Sequence, residues 1–164
     1  KVDETAKYYL ESSHTKPNIS HYETPEKIGK LFAAIRKEID PKLAKIGFCL
    51  DTAHIWVSGA DISDSKKGNE YCAGLTNILS IIPAENMLIH LNGSLKEKDS
   101  GVDEHASLMR EDDVIWGKYR KNYKDSGLSA IIDFARTYQI PCVLERNNPY
   151  KYAADYRILS ENCK

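Results

Sequence analysis

Residues 46–54 read Ile46-Gly47-Phe48-Cys49-Leu50-Asp51-Thr52-Ala53-His54: five residues without charge, then an acid, then a histidine three positions on. An apolar run this short, with no polar alternation, is too brief for a helix and fits a strand buried on both faces of a parallel sheet. The same design recurs at residues 8–10 before Glu11, at 87–91 with His90 as the penultimate residue, and at 142–144 before Glu145. Helical periods lie between these runs. Thr24 before Pro25 is an N-cap with proline at the first helical position. Behind it Ile28, Leu31, Phe32 and Ile35 form one stripe at i, i+3, i+4 and i+7. Leu75, Ile78, Leu79 and Ile82 repeat the spacing up to Pro83, a helix stop. Leu128, Ile131, Ile132 and Ala135 repeat it before Tyr138, and a weaker helix runs through Tyr152, Tyr156 and Leu159. The order is βαβαβαβα, an α/β chain with a parallel sheet.

The strands recur at intervals of roughly forty to fifty-five residues, so the 164 residues hold four β/α units. A closed (β/α)₈ barrel typically takes about 250 residues, which leaves a small open sheet or one half of a barrel. No low-complexity or Pro/Gly/Ser-rich linker divides residues 1–164, so they read as a single domain. The stretch 92–113 exceeds the ~12–15 residues usual for a passive loop and is a functional suspect.

With 23 basic and 24 acidic side chains the formal charge is −1, and 41% hydrophobic with 29% charged residues is ordinary for a globular chain and wrong for a disordered one. Near-neutrality excludes nucleic-acid binding by bulk positive charge, so any such contact is local. No apolar run approaches the ~20 residues of a membrane span, and no basic-then-apolar leader precedes the first polar residues. Cys49, Cys72, Cys142 and Cys163 lack CxxC spacing, and Cys49 and Cys142 sit in strand-like runs. They read as reduced core residues of an intracellular protein, in nucleus or cytoplasm.

Active sites of parallel α/β proteins gather at the carboxyl ends of the strands. Glu11, Asp51, His90 and Glu145 stand at those ends and would share one space. Taken singly, each acid is as readily the cap of the next helix. Three bare carboxylates together repel, and a divalent cation removes that penalty. Asp51-Thr-Ala-His54 adds a donor on the following loop. Asp103-Glu-His105 places two more on one side of an extended segment, and with His54 they complete a His₂Asp set that keeps an open position for water. His14 is as readily a ligand as a bystander, whereas His21 reads as a surface residue. Trp56 and Trp116 read as rim packing more readily than as ligand platforms. Arg146, Asn147 and Asn148 follow Glu145 directly, where they can meet phosphate oxygens. Lys96-Glu-Lys98 reads as a solvated loop beside the path of a phosphate backbone.

GFCLDTAHIWVSG (47–59), MLIHLNGS (87–94), SGVDEHASL (100–108) and CVLERN (142–147), in this order and spacing, resemble the zinc-dependent apurinic/apyrimidinic (AP) endonucleases of the endonuclease IV family. The compact versions of large DNA viruses are the most similar, which admits a virion-associated location. The resemblance covers about residues 8–147. It implies a TIM-type (β/α)₈ barrel with three zinc ions, this chain supplying about four carboxyl-terminal β/α units, and incision of DNA 5′ to an abasic site in base excision repair. Glu11 resembles the carboxylate bridging the first and second ions; Asp51, His90 and Glu145 resemble the other ligands of the second; His54, Asp103 and His105 resemble those of the third. Glu145 and Glu11 carry the catalytic expectation, Mn²⁺ is an alternative occupant, and Arg146, Asn147 and Asn92 are the expected DNA contacts. The two histidines that complete the first zinc, and the side chains inserted into DNA, belong to the amino-terminal half, so that half and double-stranded abasic DNA are the implied partners. Two departures stand out: Glu104 replaces the usual arginine of Asp-Arg-His, and Ser-Ser follows Glu11. The alternatives are a divalent-metal sugar isomerase or epimerase of the same barrel superfamily, which has no use for Asp103 and His105, or a non-catalytic fragment that needs a partner half.

Overall fold

The computed structural model describes residues 7–14, 22–38 and 46–162. In chain order the elements are β1 (Tyr8–Glu11), α1 (Pro25–Glu38), β2 (Ile46–Asp51), α2 (Thr52–Val57), α3 (Ser65–Asn77), β3 (Met87–His90), β4 (Gly93–Ser94), β5 (His105–Ala106), α4 (Gly127–Tyr138), β6 (Cys142–Val143) and α5 (Pro149–Asn162). The four expected strands form one parallel sheet in the order β1-β2-β3-β6. The register aligns its carboxyl end: Asp51 is level with His90, and His90 with Val143. His21 and Cys163 lie outside the described residues.

Phe48, Cys49 and Leu50 of β2 and Met87 and Ile89 of β3 are buried, joined by Ile28 and Phe32 of α1, Leu75 of α3 and Leu128 and Ile131 of α4. The expectation of burial on both faces holds for β2 but not for β1 and β6. Tyr8, Leu10 and Val143 are exposed, and Cys142, read as a core thiol, is exposed as well. The reason is position: among the described residues β1 and β6 each have one strand neighbour and form the two sheet edges. No disulfide joins the described cysteines, and no described helix is long and apolar enough to cross a membrane.

Thr24 caps α1 as expected, its Oγ1 accepting from Lys27 N at 3.4 Å. The helix expected over 75–82 lies earlier. Asp64 caps α3 by accepting from Lys67 N at 2.9 Å, and α3 ends at Asn77, before Pro83 is reached. Residues 78–82 continue as successive turns closed by Ile78 N→Leu75 O and Ile81 N→Ile78 O, which keep Leu75, Ile78 and Ile82 buried without a regular helix. Gly68 of α3 lets α4 approach closely, because a Cβ there would stand 2.7 Å from the Gly127 Cα. Trp116 is fully buried, not on a rim, with Nε1 donating to Ile62 O; Trp56 is buried with Nε1 donating to Lys96 O, both at 2.9 Å.

The stretch 92–113, irregular by sequence, is an antiparallel hairpin strapped from below. β4 and β5 pair Gly93 with Ala106 and Ser94 with His105. Asp113 is buried beneath them and accepts from the backbone N–H groups of Met109 (2.9 Å), Ile115 (3.0 Å) and Ser94 (3.2 Å). Burial pushes its carboxyl up to about 6, although these N–H groups pull the other way. Replacing Asp113 with alanine strands several buried donors and should cost about 2–4 kcal/mol at neutral pH, read as a lower urea midpoint with an unchanged slope. The folded carboxyl titrates above its ordinary 3.8, so this group's own contribution declines as pH rises from about 4 through 6. Asp113→Asn should remove that part of the pH slope.

Candidate metal centre

Asp51 ends β2 and divides its carboxylate between two tasks. Its Oδ1 caps α2, accepting from Ala53 N at 2.8 Å and His54 N at 3.1 Å. Its Oδ2 turns the other way, 3.7 Å from both His90 Nδ1 and His105 Nε2. Cap and site donor are therefore the same side chain. Around it the strand ends converge: Glu11 Oε1 lies 3.0 Å and Glu145 Oε2 3.2 Å from His90 Nδ1. Ligand atoms of Glu11, Asp51, His90 and Glu145 all fall within 4.8 Å of one another. A ring nitrogen carries at most one proton, so it cannot satisfy three carboxylates at once. That arrangement suits a cation.

A second cluster adjoins the first. His54 Nε2 lies 3.3 Å from Asp103 Oδ2, and His105 Nε2 lies 3.1 Å from Asp103 Oδ1. β5 supplies His105 and the hairpin approach supplies Asp103, on one side as the D-x-H spacing predicts. Asp103 Oδ1 and His105 Nε2 are buried and make no acceptable hydrogen bond with any partner among the described residues. Two orphaned donor atoms facing one space fit a metal ion that both would ligate. His54 Nδ1 meets Ser12 O at 2.6 Å. A proton on that nitrogen leaves Nε2 as the free donor toward Asp103, the way outer partners orient metal-binding imidazoles.

The charges bear on one another. Burial raises the Asp51 carboxyl against the pull of His54 and His105. The imidazoles of His105 and His54, set against its two oxygens, hold Asp103 well below the usual carboxylate range. For His54 burial disfavours the charged ring, yet Asp103, Asp51 and the Ser12 carbonyl outweigh it and push the pKa up to about 9. Cys49 also lies within reach of Glu11 and His90, but burial and then the charges of Glu11 and Asp51 push its thiol up to about 12, far from the thiolate a metal takes.

All seven expected donors therefore meet at one end of the sheet, beside a cleft of about 730 Å³ lined by Asp103, His105, Glu145, Arg146, Asn147 and Tyr152. The expected DNA contacts divide. Asn147 is exposed. Arg146 and Asn92 are instead turned inward: the Arg146 side chain is 2% exposed, Asn92 is fully buried, and both are engaged inside the protein. Arg146 Nε pairs with Asp155 Oδ2 at 2.5 Å, while its Nη1 donates to Asn92 Oδ1 at 2.5 Å. With Oδ1 so held, Asn92 Nδ2 faces Asp51 Oδ2 at 2.8 Å and Glu145 Oε2 at 3.1 Å. The amide is a spacer between two carboxylates. Asp155, on α5, also accepts from Leu108 N at 2.9 Å. Sequence reading misses it, because nothing local in α5 marks an acid whose partner lies nine residues earlier. Ser12 is a second omission. Lys96 Nζ pairs with Glu104 Oε2 at 3.3 Å on the hairpin, so the acid in place of arginine there is matched by a lysine.

No family model matches the chain. It is 41% identical over 139 residues to a probable AP endonuclease of African swine fever virus (isolate Tick/South Africa/Pretoriuskop Pr4/1996), an alignment covering 85% of this chain and 45% of that protein. It is 31% identical over 106 residues to a putative endonuclease 4 of Acanthamoeba polyphaga mimivirus, covering 65% and 30%. The crystal structure of AsfvAP:AG superposes with a TM-score of 0.92 at 36% identity, over all of this chain and 55% of that one. Endonuclease IV from Thermus thermophilus gives 0.66 at 18% identity, over 99% and 51%, a likeness of fold alone. The fold is that of about half an endonuclease IV TIM barrel. Sequence and fold together relate the chain to the endonuclease IV family of AP endonucleases, and it spans about half the length of the curated relatives it matches.

Loss of the spacer should be felt by the metal. Asn92→Ala is expected to weaken divalent-metal retention about 10- to 100-fold, measured by competition with a chromophoric chelator. Unchanged affinity would mean that the amide only fills space.

Proposed function

We propose that this chain is the carboxyl-terminal half, residues 1–164 forming one domain, of a zinc-dependent AP endonuclease that hydrolyses the DNA phosphodiester 5′ to an abasic site in base excision repair. The observation that carries the reading is the gathering of Glu11, Asp51, His90 and Glu145 beside His54, Asp103 and His105 at one end of the sheet, next to a cleft that Asp103, His105 and Glu145 line. The names of the relatives support it, as does the hairpin pair, since a one-metal sugar isomerase has no use for Asp103 and His105. Nitrogen and carboxylate donors in these numbers suit zinc, with manganese the alternative occupant. The partners are double-stranded DNA carrying an abasic site and the amino-terminal half of the barrel, in an intracellular setting.

Bound divalent ions supply Lewis acidity toward the phosphodiester and lower the pKa of a water nucleophile. The residues divide the remaining work. Glu145 and Glu11, both about 40% exposed in a site where Asp51 is fully buried, are the carboxylates open to solvent and would orient the attacking water. Asp51 and His90 form the fixed floor. His54, Asp103 and His105 would hold a further ion, whose charge would offset the negative charge that develops on a leaving 3′ oxygen. Asn147 is placed to meet a phosphate oxygen. An abasic nucleotide has no base to unstack, so exposing its sugar costs less than flipping an intact nucleotide, which favours the damaged site.

In the complete enzyme, Glu145→Gln should lower incision of a duplex with a single abasic site by about two to four orders of magnitude while leaving the circular dichroism spectrum unchanged. Elemental analysis of the same sample should find metal in the unmodified protein, and chelation should abolish cutting. Full activity in the variant would sink the role given to Glu145; full activity without metal would sink the reading.

A further inference from the structure

Resting on that reading, we propose that His14 is a ligand of the metal position formed by His54, Asp103 and His105, closing it with a fourth protein donor. His14 follows Glu11 by three residues, and the segment between is pinned in place. Ser12 N donates to Cys49 O at 2.9 Å, Ser12 Oγ accepts from Asp51 N at 2.8 Å, and Ser13 O accepts from Ser58 Oγ at 3.2 Å. With His54 Nδ1 on Ser12 O, the backbone before His14 is tied to both β2 and α2. The His14 ring consequently stands beside His54, centroids 4.9 Å apart and tilted by 54°.

Ligand atoms of His14, His54 and Asp103 lie within 4.8 Å of one another. Donors on a tetrahedral zinc at about 2.0–2.1 Å sit roughly 3.4 Å apart, a contraction within reach of side-chain rotation. His14 is exposed, so among the described residues no buried packing resists that rotation. His105 lies outside that trio, grouped with Asp51 and His54, but meets Asp103 Oδ1 at 3.1 Å, so Asp103 links it to the pair formed by His14 and His54. Three protein donors leave a catalytic position open, whereas four close it. In that role His14 would help to retain the ion when no substrate is bound.

The test is metal binding by the full chain, with zinc and with cobalt(II) as probes. His14→Ala should release one ion at least about 100-fold more readily to a competing chelator, beyond the range typical of losing an outer partner. It should also weaken the visible absorption of the cobalt form as water replaces the imidazole. His14→Asp, which keeps a donor, should restore most of the retention. Asp103→Ala is the reference and should lose the same ion. If Asp103→Ala loses that ion and His14→Ala changes neither affinity nor spectrum, His14 is a bystander and the functional reading stands. If the unmodified chain takes up neither zinc nor cobalt, the metal reading itself fails.

Discussion

Four carboxylates, from Glu11, Asp51, Asp103 and Glu145, are held around three imidazoles at the carboxyl end of one sheet, and the surrounding structure is organised by that repulsion. Like charges this close drive each other toward the neutral form unless positive charge or fixed donors offset them. The chain supplies donors that are themselves buried. Asn92 separates Asp51 from Glu145, and Arg146 holds the amide by its oxygen. Asp155 neutralises Arg146 in a pair excluded from solvent. Removing either member of such a pair leaves a buried charge, at a cost of about 3–5 kcal/mol. The network is therefore tied to the fold and to the site at once.

The donors stand on two kinds of support. Asp51 and His90 stand level in the sheet, Glu11 is paired with Cys49 two residues before Asp51, and Glu145 lies two residues beyond the end of β6. Asp103 and His105 come from a hairpin with only two paired residues on each strand, too little to be stable by itself. Asp113 holds it from below through three backbone N–H groups, and Asp155 holds the segment after it through Leu108 N. Trp56 and Val57 of α2 add backbone acceptors for Asp99 and Gly101. α2 thus braces the hairpin and carries His54, which ties all three residues of the second cluster to one element.

That these seven side chains would gather at one end of the sheet is legible because each punctuates a pattern: an acid or histidine at or just after the end of an apolar run, or the D-x-H spacing of an extended segment. The inward turn of Arg146 is not legible, for the opposite reason. A guanidinium next to a site residue has the same appearance in sequence whether it faces solvent or a buried acid, and Asp155 decides between them from α5. The apolar spacing of Leu75, Ile78 and Ile82 marked burial correctly and helix only in part, since consecutive turns bury the same side chains. The strand-like runs at β1 and β6 carried no sign that they would be edges.

By itself the sequence determined the β/α alternation, the parallel sheet and the identity of the donors, because strand length, helical period and residue chemistry are local quantities. Tertiary structure alone decided which oxygen of Asp51 caps a helix and which faces the site, that Asn92 and Arg146 serve the carboxylates from within, and that His14 stands against His54. Those outcomes depend on contacts between residues forty to more than fifty positions apart. Only the register of the sheet and the packing of α5 bring such residues together, and no window of sequence contains both partners.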